Sequence, residues 1–253
     1  MSTIHFFILN MEKNTERLQN ISTKLQDLQV SFSRIKAIEG TIFKNNIYND
    51  IYNDIYNDIY NDIDKEVLNI LKPRLELLYT KFKNIVTNDE WIYDGSINKS
   101  FPNCTLNGNY GTKGLTLSNI KAFETAMQMN FDWYCILEDD AEINEESLNK
   151  ITEFINNKEN INVDIVLLDS RHYGWGGCSG MLYNKKVIHQ LIIDLHPLSD
   201  FSINSHLYGD PNLGNLWDWK LWKYLAHINS NFKQLPCIDS GNYPSTINVN
   251  NNE

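Results

Sequence analysis

The chain has 253 residues, a formal net charge of −10, and 42% hydrophobic residues, enough to fill the core of one large domain. Without a basic stripe, that charge excludes a nucleic-acid partner, which needs Lys and Arg against phosphate. No stretch reaches the roughly 20 apolar residues of a membrane-spanning helix. The opening Met1-Ser2-Thr3-Ile4-His5-Phe6-Phe7-Ile8-Leu9 lacks the basic start and the apolar length of a signal peptide.

The expectation is therefore a soluble, cytoplasmic protein that starts directly with a strand. Its cysteines, Cys104, Cys135, Cys178 and Cys237, form no CxxC pair, which argues against a zinc ribbon, and they read as reduced thiols.

Residues 4–9 form a short apolar run, a buried strand ended by Asn10. From Asn14 to Leu28, Leu18, Ile21, Leu25 and Leu28 recur at helical spacing. Val30 to Ile38 reads as a second strand closed by Glu39-Gly40, so the chain opens strand–helix–strand, as a doubly wound sheet does.

A tetrad, Ile-Tyr-Asn-Asp, then repeats from Ile47 through Asp62. Solenoid periods run about 20–50 residues, so this repeat reads as a low-complexity surface insert. Lys65 to Ile85 continues as helix with a break at Pro73, and residues 88–112 read as a long loop. The domain expectation is a single unit over 1–253 with a partly helical insert at about 41–110.

Leu115 to Met129 is predicted helical through Leu117, Ile120, Phe123 and Met127. A strand ending in acids follows, then a helix over Glu145–Asn156, a strand over Val163–Leu168 and a glycine-rich stretch from Gly174 to Gly180. Met181–Tyr183 continues that stretch as extended chain. A helix over Lys185–Leu195, a helix over Trp217–Ile228 and a strand over Phe232–Ile238 complete the chain. Strands alternate with helices, so the class is α/β.

The densest chemical signal is Tyr134-Cys135-Ile136-Leu137-Glu138-Asp139-Asp140, an apolar strand ending in three carboxylates. Open α/β sheets bind ligands beyond the carboxyl ends of their strands. Three adjacent anions repel unless something cationic sits among them. In extended chain Glu138 and Asp140 point to one side and Asp139 to the other. An acid-x-acid pair aimed at one point can hold a hard divalent cation, which in turn grips a diphosphate. The plain alternative is a solvated turn whose acids favour the start of the next helix.

Several motifs occur in order along the chain. Ile8-Leu9-Asn10 is followed by Arg17, then by Ala37-Ile38-Glu39-Gly40. Gly114-Leu115-Thr116-Leu117-Ser118 and Ala122 precede Ile136-Leu137-Glu138-Asp139-Asp140. Val163-Asp164-Ile165-Val166-Leu167-Leu168 comes with Arg171, Gly180-Met181-Leu182-Tyr183-Asn184 leads to Gln190-Leu191-Ile192, and Asp218-Trp219 opens the late helix.

This set resembles glycosyltransferase family 25, which includes bacterial lipooligosaccharide galactosyltransferases and collagen galactosyltransferases. One position departs from the family pattern. Asn119 stands where the family usually has His, which keeps hydrogen bonding and removes proton transfer.

The resemblance implies a GT-A-like (Rossmann-like) nucleotide-sugar-binding fold, with a mixed central sheet flanked by helices. It implies metal-dependent, inverting transfer of a hexose, galactose or glucose, from a UDP-sugar to a hydroxyl on a glycan or collagen-like protein. Mn²⁺ or Mg²⁺ would be held by Glu138 and Asp140.

Donor binding falls to Asn10, Arg17, Glu39, Ser118, Asn119, Glu138 and Asp139, with Arg17 set against the diphosphate. Arg171, Ser179 and Gly180 would line the sugar and acceptor. Inversion needs a carboxylate base, which the resemblance puts at Asp218, with Asp169, Asp200 and Asp210 as alternatives.

Each residue also has a plain reading. Asp218 is a helix N-cap, Arg17 an exposed helix charge, Glu39 a turn residue, and the glycines a flexible turn. Two other functions compete. One is a sugar- or nucleotide-binding module without catalysis. The other is a glycoside hydrolase, whose paired acids sit ~5–9.5 Å apart across the substrate rather than on one strand end.

Overall fold

The computed structural model describes residues 2–39, 110–170, 178–195, 221 and 231–241. Their elements run β1 (Ile4–Asn10), α1 (Thr15–Asp27), β2 (Phe32–Lys36), α2 (Tyr110–Met127), β3 (Trp133–Glu138), β4 (Ala141–Glu142) and α3 (Glu145–Asn156). A 3-10 turn (Lys158–Asn160), β5 (Ile165–Asp169), β6 (Gly180–Asn184), α4 (Lys185–Leu195) and β7 (Phe232–Ser240) complete them. The tetrad repeat and the rest of the insert lie outside these residues, as does the late helix except Leu221, which is helical and buried.

The described strands form one seven-stranded sheet in the order β2-β1-β3-β6-β5-β7-β4. β1 pairs in parallel with β2 and β3, and β5 with β7, whereas β6 runs antiparallel between β3 and β5. The sheet is therefore mixed, as the resemblance implied, and helices cover both of its faces. Among the described residues no helix is long and apolar enough to cross a membrane.

Alternation along the strands builds two cores. Phe7, Leu9, Tyr134, Ile136, Leu167, Met181 and Tyr183 pack beneath α2 and α4. Phe6, Ile8, Trp133, Cys135, Leu137, Val166 and Leu182 pack beneath α1 and α3. Strands covered on both faces read as continuous apolar runs rather than as alternating ones, which is why β1 and β3 look uniformly hydrophobic in sequence.

Cys135 is a wholly buried core residue and burial pushes its thiol pKa up. Cys237 rises to about 11 for the same reason. Among the described residues Cys135, Cys178 and Cys237 are free thiols.

Three details differ from the sequence expectation. α2 begins at Tyr110, ahead of the predicted Leu115, inside the stretch read as loop. β4 is an extra short strand that zips against β7 through Ala141–Ser240 and Glu142–Asp239. β7 runs on to Ser240, and its register against β5 slips between Leu167 and Asp169, opposite the Pro236 stretch. Proline offers no N–H to a ladder, so the irregularity falls where pairing is chemically interrupted.

Registers fix where ligands can approach. Leu9 lies beside Glu138, Asn10 beside Lys36, and Leu137 beside Gly180. The carboxyl ends of β1, β2 and β3 therefore share one edge of the sheet with the start of β6. This is the edge where open α/β sheets take ligands.

Candidate functional site

The acid turn sits at the tip of β3. The strand ends at Glu138 and the chain turns at Asp139 and Asp140, so strict alternation stops before Asp140. Glu138 continues the alternation of Tyr134 and Ile136 toward the α2 and α4 side. There its Oε1 accepts a hydrogen bond from the Cys178 thiol at 2.8 Å. Its backbone N–H donates to the Ser179 carbonyl at 3.1 Å. The next helix, α3, has its own capping box, with Asn144 accepting from the Ser147 N–H at 2.9 Å. The acids of the turn therefore do not serve as its cap.

Asp139 points the other way, to the junction of β1 and α1, and is 8% exposed. Its Oδ1 lies 3.1 Å from Arg17 Nη1. Its Oδ2 accepts from Asn10 Nδ2 at 2.8 Å and from Asn14 Nδ2 at 3.2 Å. Asn10 is buried and also donates to the Asn14 carbonyl at 2.9 Å. The same Arg17 nitrogen lies 3.9 Å from Asp140 Oδ2. A cation thus stands by two of the three acids, Asp139 and Asp140, and it belongs to the protein. The mutual repulsion that suggested a metal from sequence is relieved in part by Arg17.

Glu138 and Asp140 contribute two hard carboxylates. Among the described residues no three His, Cys, Asp or Glu side chains converge on a metal position. Ions such as Mg²⁺ are commonly held by one or two carboxylates, with substrate phosphates and waters completing the shell. Two carboxylates match that open mode rather than a closed structural site. Yet Glu138 turns to the Cys178 side, while Asp140 lies near the Arg17 that pairs with Asp139, so the one-sided aim expected from alternation is not what the turn shows.

At the same end of the sheet lies a cavity of about 610 Å³, lined by Met11, Glu12, Lys13, Lys36, Ala37, Ile38, Glu39 and Lys121. It opens at the carboxyl ends of β1 and β2, with α2 as a wall. Lys13 pairs with Glu39 at 2.7 Å and Lys36 with Glu12 at 2.6 Å. The hydrogen bond and charge of Lys36 hold the Glu12 carboxyl below its usual pKa.

These three lysines went unnoticed in the sequence. Their signal was positional, since Lys13 follows the first strand and Lys36 ends the second.

The remaining residues singled out from sequence divide into several groups. Glu39 lines the cavity. Ser118 is wholly buried, donating to the Gly114 carbonyl at 2.6 Å and accepting from the Ile38 N–H at 2.8 Å, so it pins the cavity wall from behind. Asn119 is buried and donates to the Leu115 carbonyl at 3.0 Å. Ser179 is buried, and its N–H donates to Asp169 Oδ2 at 3.0 Å. Asp169, weighed above as a base, is itself buried in that contact.

Gly180 packs tightly between β3 and β7. A Cβ there would meet Ile238 Cδ1 at 2.8 Å and Leu137 Cδ2 at 3.3 Å. Arg171, Asp200, Asp210 and Asp218 lie outside the described residues.

Residues 99–191 match the family model of glycosyltransferase family 25, described as an LPS biosynthesis protein. The matched span carries the acid tip of β3, together with β5 and β6, and supports the family resemblance seen in the motifs. No curated protein matches the chain. The family match indicates a glycosyltransferase.

Proposed function

We propose that this chain transfers a hexose, galactose or glucose, from a UDP-sugar to a hydroxyl of a glycan or collagen-like protein, with inversion. The observation that carries the reading is the pairing, at one sheet edge, of the acid turn of β3 with a lysine-lined cavity at the ends of β1 and β2. A nucleoside diphosphate matches both features, because it presents a flat polar base and a compact double anion.

In this reading the cavity receives the nucleoside. Glu39 and Glu12 offer acceptors to base or ribose, and Lys13, Lys36 and Lys121 supply positive charge toward the phosphates. Mn²⁺ or Mg²⁺, held by Glu138 and Asp140 with the diphosphate, would neutralise the charge that grows on the leaving group. The Cys178 thiol and the Ser179 backbone steady Glu138 at the strand tip. Buried Ser118 holds Ile38, and with it the cavity wall, in place.

The resemblance gives proton removal from the acceptor hydroxyl to Asp218 and the sugar-facing positions to Arg171, Ser179 and Gly180. A single displacement with a carboxylate base accounts for inversion.

A screen of nucleotide sugars against the full chain with Mn²⁺, reading release of free nucleotide, tests this function. Release from a UDP-hexose, accelerated by a glycan or collagen-like acceptor, is the expected result. Tight UDP binding with no release from any donor would favour a binding module without catalysis.

A further inference from the structure

We infer that Asp139 is a positioning residue that keeps the Arg17 guanidinium committed to itself rather than to Asp140. The inference deepens the proposed function, since it rests on Asp140 facing the cation and diphosphate.

Both oxygens of Asp139 are engaged by one short stretch of chain. Arg17 takes Oδ1, while Asn10 and Asn14 take Oδ2. A buried carboxylate satisfied from three directions has little left to offer a donor, although the sequence motif placed it among the donor-binding residues.

The other partners show local choices that converge on Asp139. Arg17 lies in the first turn of α1, where a positive charge meets the positive end of the helix dipole. Its side chain is nevertheless only 10% exposed. Asn14 stands at the N-cap of α1 and makes no side-chain cap. Its Nδ2 is turned to Asp139, and its oxygen makes none of the capping contact worth about 1 kcal/mol in other helices. Where several local rules break together, the usual reason is a site that needs the resulting geometry.

The distances say what that geometry achieves. Arg17 Nη1 is 3.1 Å from Asp139 and 3.9 Å from Asp140. Neutralising Asp139 removes the nearer anion. In an Asp139→Asn side chain the oxygen would stay with the Asn10 and Asn14 amides, and its NH₂ would face Arg17. The guanidinium would then move the short distance to Asp140 and bind that carboxylate in place of an incoming cation.

Two measurements on the full chain decide the matter. The first is a urea-unfolding double-mutant cycle of Arg17→Gln against Asp140→Asn, run in the wild-type and Asp139→Asn backgrounds. Arg17–Asp140 coupling should be small in the wild type. It should rise to about tenfold in the folding equilibrium constant once Asp139 is neutral, within the range seen for contacting residues. Equal coupling in both backgrounds overturns the inference, whatever the donor proves to be.

The second is calorimetry of UDP with and without Mn²⁺. Asp139→Asn should lose the Mn²⁺-dependent gain in UDP affinity, and the Arg17→Gln/Asp139→Asn double variant should regain it, a rescue that simple structural damage would not give. Retention of the gain in Asp139→Asn overturns the inference. So does a loss of metal-free UDP affinity in Arg17→Gln, which would set Arg17 on the diphosphate. Absence of any Mn²⁺ gain in the wild type counts against the proposed function and leaves the unfolding cycle to judge Asp139. Should Asp139→Asn fail to fold, the Arg17→Gln result decides alone.

Discussion

Replacing Glu124 by Gln should stabilise the protein, and by an amount that depends on pH. Glu124 lies on α2, is only 6% exposed, and its Oε1 has no hydrogen-bond partner. Burial pushes its pKa from 4.5 to about 9, with Lys121 on the preceding turn opposing the shift. The folded chain therefore keeps a proton on this carboxyl that the unfolded chain has lost. Because the folded-state value is raised, the favourable condition lies below the unfolded value, and stability falls as pH rises from 4.5 toward 9.

At 1.36 kcal/mol per pH unit, the loss amounts to about 3 kcal/mol at pH 7 and about 6 kcal/mol at pH 9. Glutamine keeps the shape and removes the titration. Urea unfolding of both proteins at pH 5, 7 and 8.5 isolates the effect, since other titrating groups cancel in the difference. The variant should lead by about 3 kcal/mol at pH 7, or roughly 5–10 °C in Tm for a chain of this size, and the lead should nearly vanish at pH 5. A difference that stays constant across the three pH values would refute the reasoning.

Two further outcomes follow from packing and burial. Gly180→Ala should cost about 1–2 kcal/mol through its clash with Ile238, and Ile238→Val, which deletes the nearest methyl, should recover part of that loss in thermal melts. His5 bridges Ser31 at 2.8 Å and Ser33 at 2.5 Å inside the fold, and burial lowers its pKa. Its contribution is therefore full above 6.5 and is lost as pH falls below that value. His5→Gln should flatten the acid limb of the stability curve between pH 6.5 and 5, and an unchanged limb would exclude His5 as its source.

The order of elements was legible because its signals are local. Apolar runs marked β1 and β3, and the 3.6-residue stripe marked α1. The predicted bounds of Glu145–Asn156 and Lys185–Leu195 coincide with α3 and α4. The early start of α2 was hidden because Gly111 and Gly114 weaken helix propensity, which tertiary packing then overrides. β4 is too short to show a period, and its partner lies far along the chain.

The site was read in outline and not in wiring. The acids were found because three together are conspicuous. Their cation was sought outside the protein because Arg17 is 122 residues from Asp139 in sequence, and strand pairing alone brings the two together. The turn at Asp139 and Asp140 also broke the alternation from which the faces of Glu138 and Asp140 were inferred. The lysine-lined cavity escaped for the same reason, since it is assembled from β1, β2 and α2.

The central claim is that the acid turn and the cavity at the same end of the sheet together grip a cation and a nucleoside diphosphate. Isothermal titration of UDP into the full chain, with and without Mn²⁺, for the wild type and Glu138→Gln, tests it most directly. The account predicts tighter UDP binding with Mn²⁺ in the wild type and no such gain in the variant. Equal affinity with and without Mn²⁺, or an undiminished gain in Glu138→Gln, would contradict it.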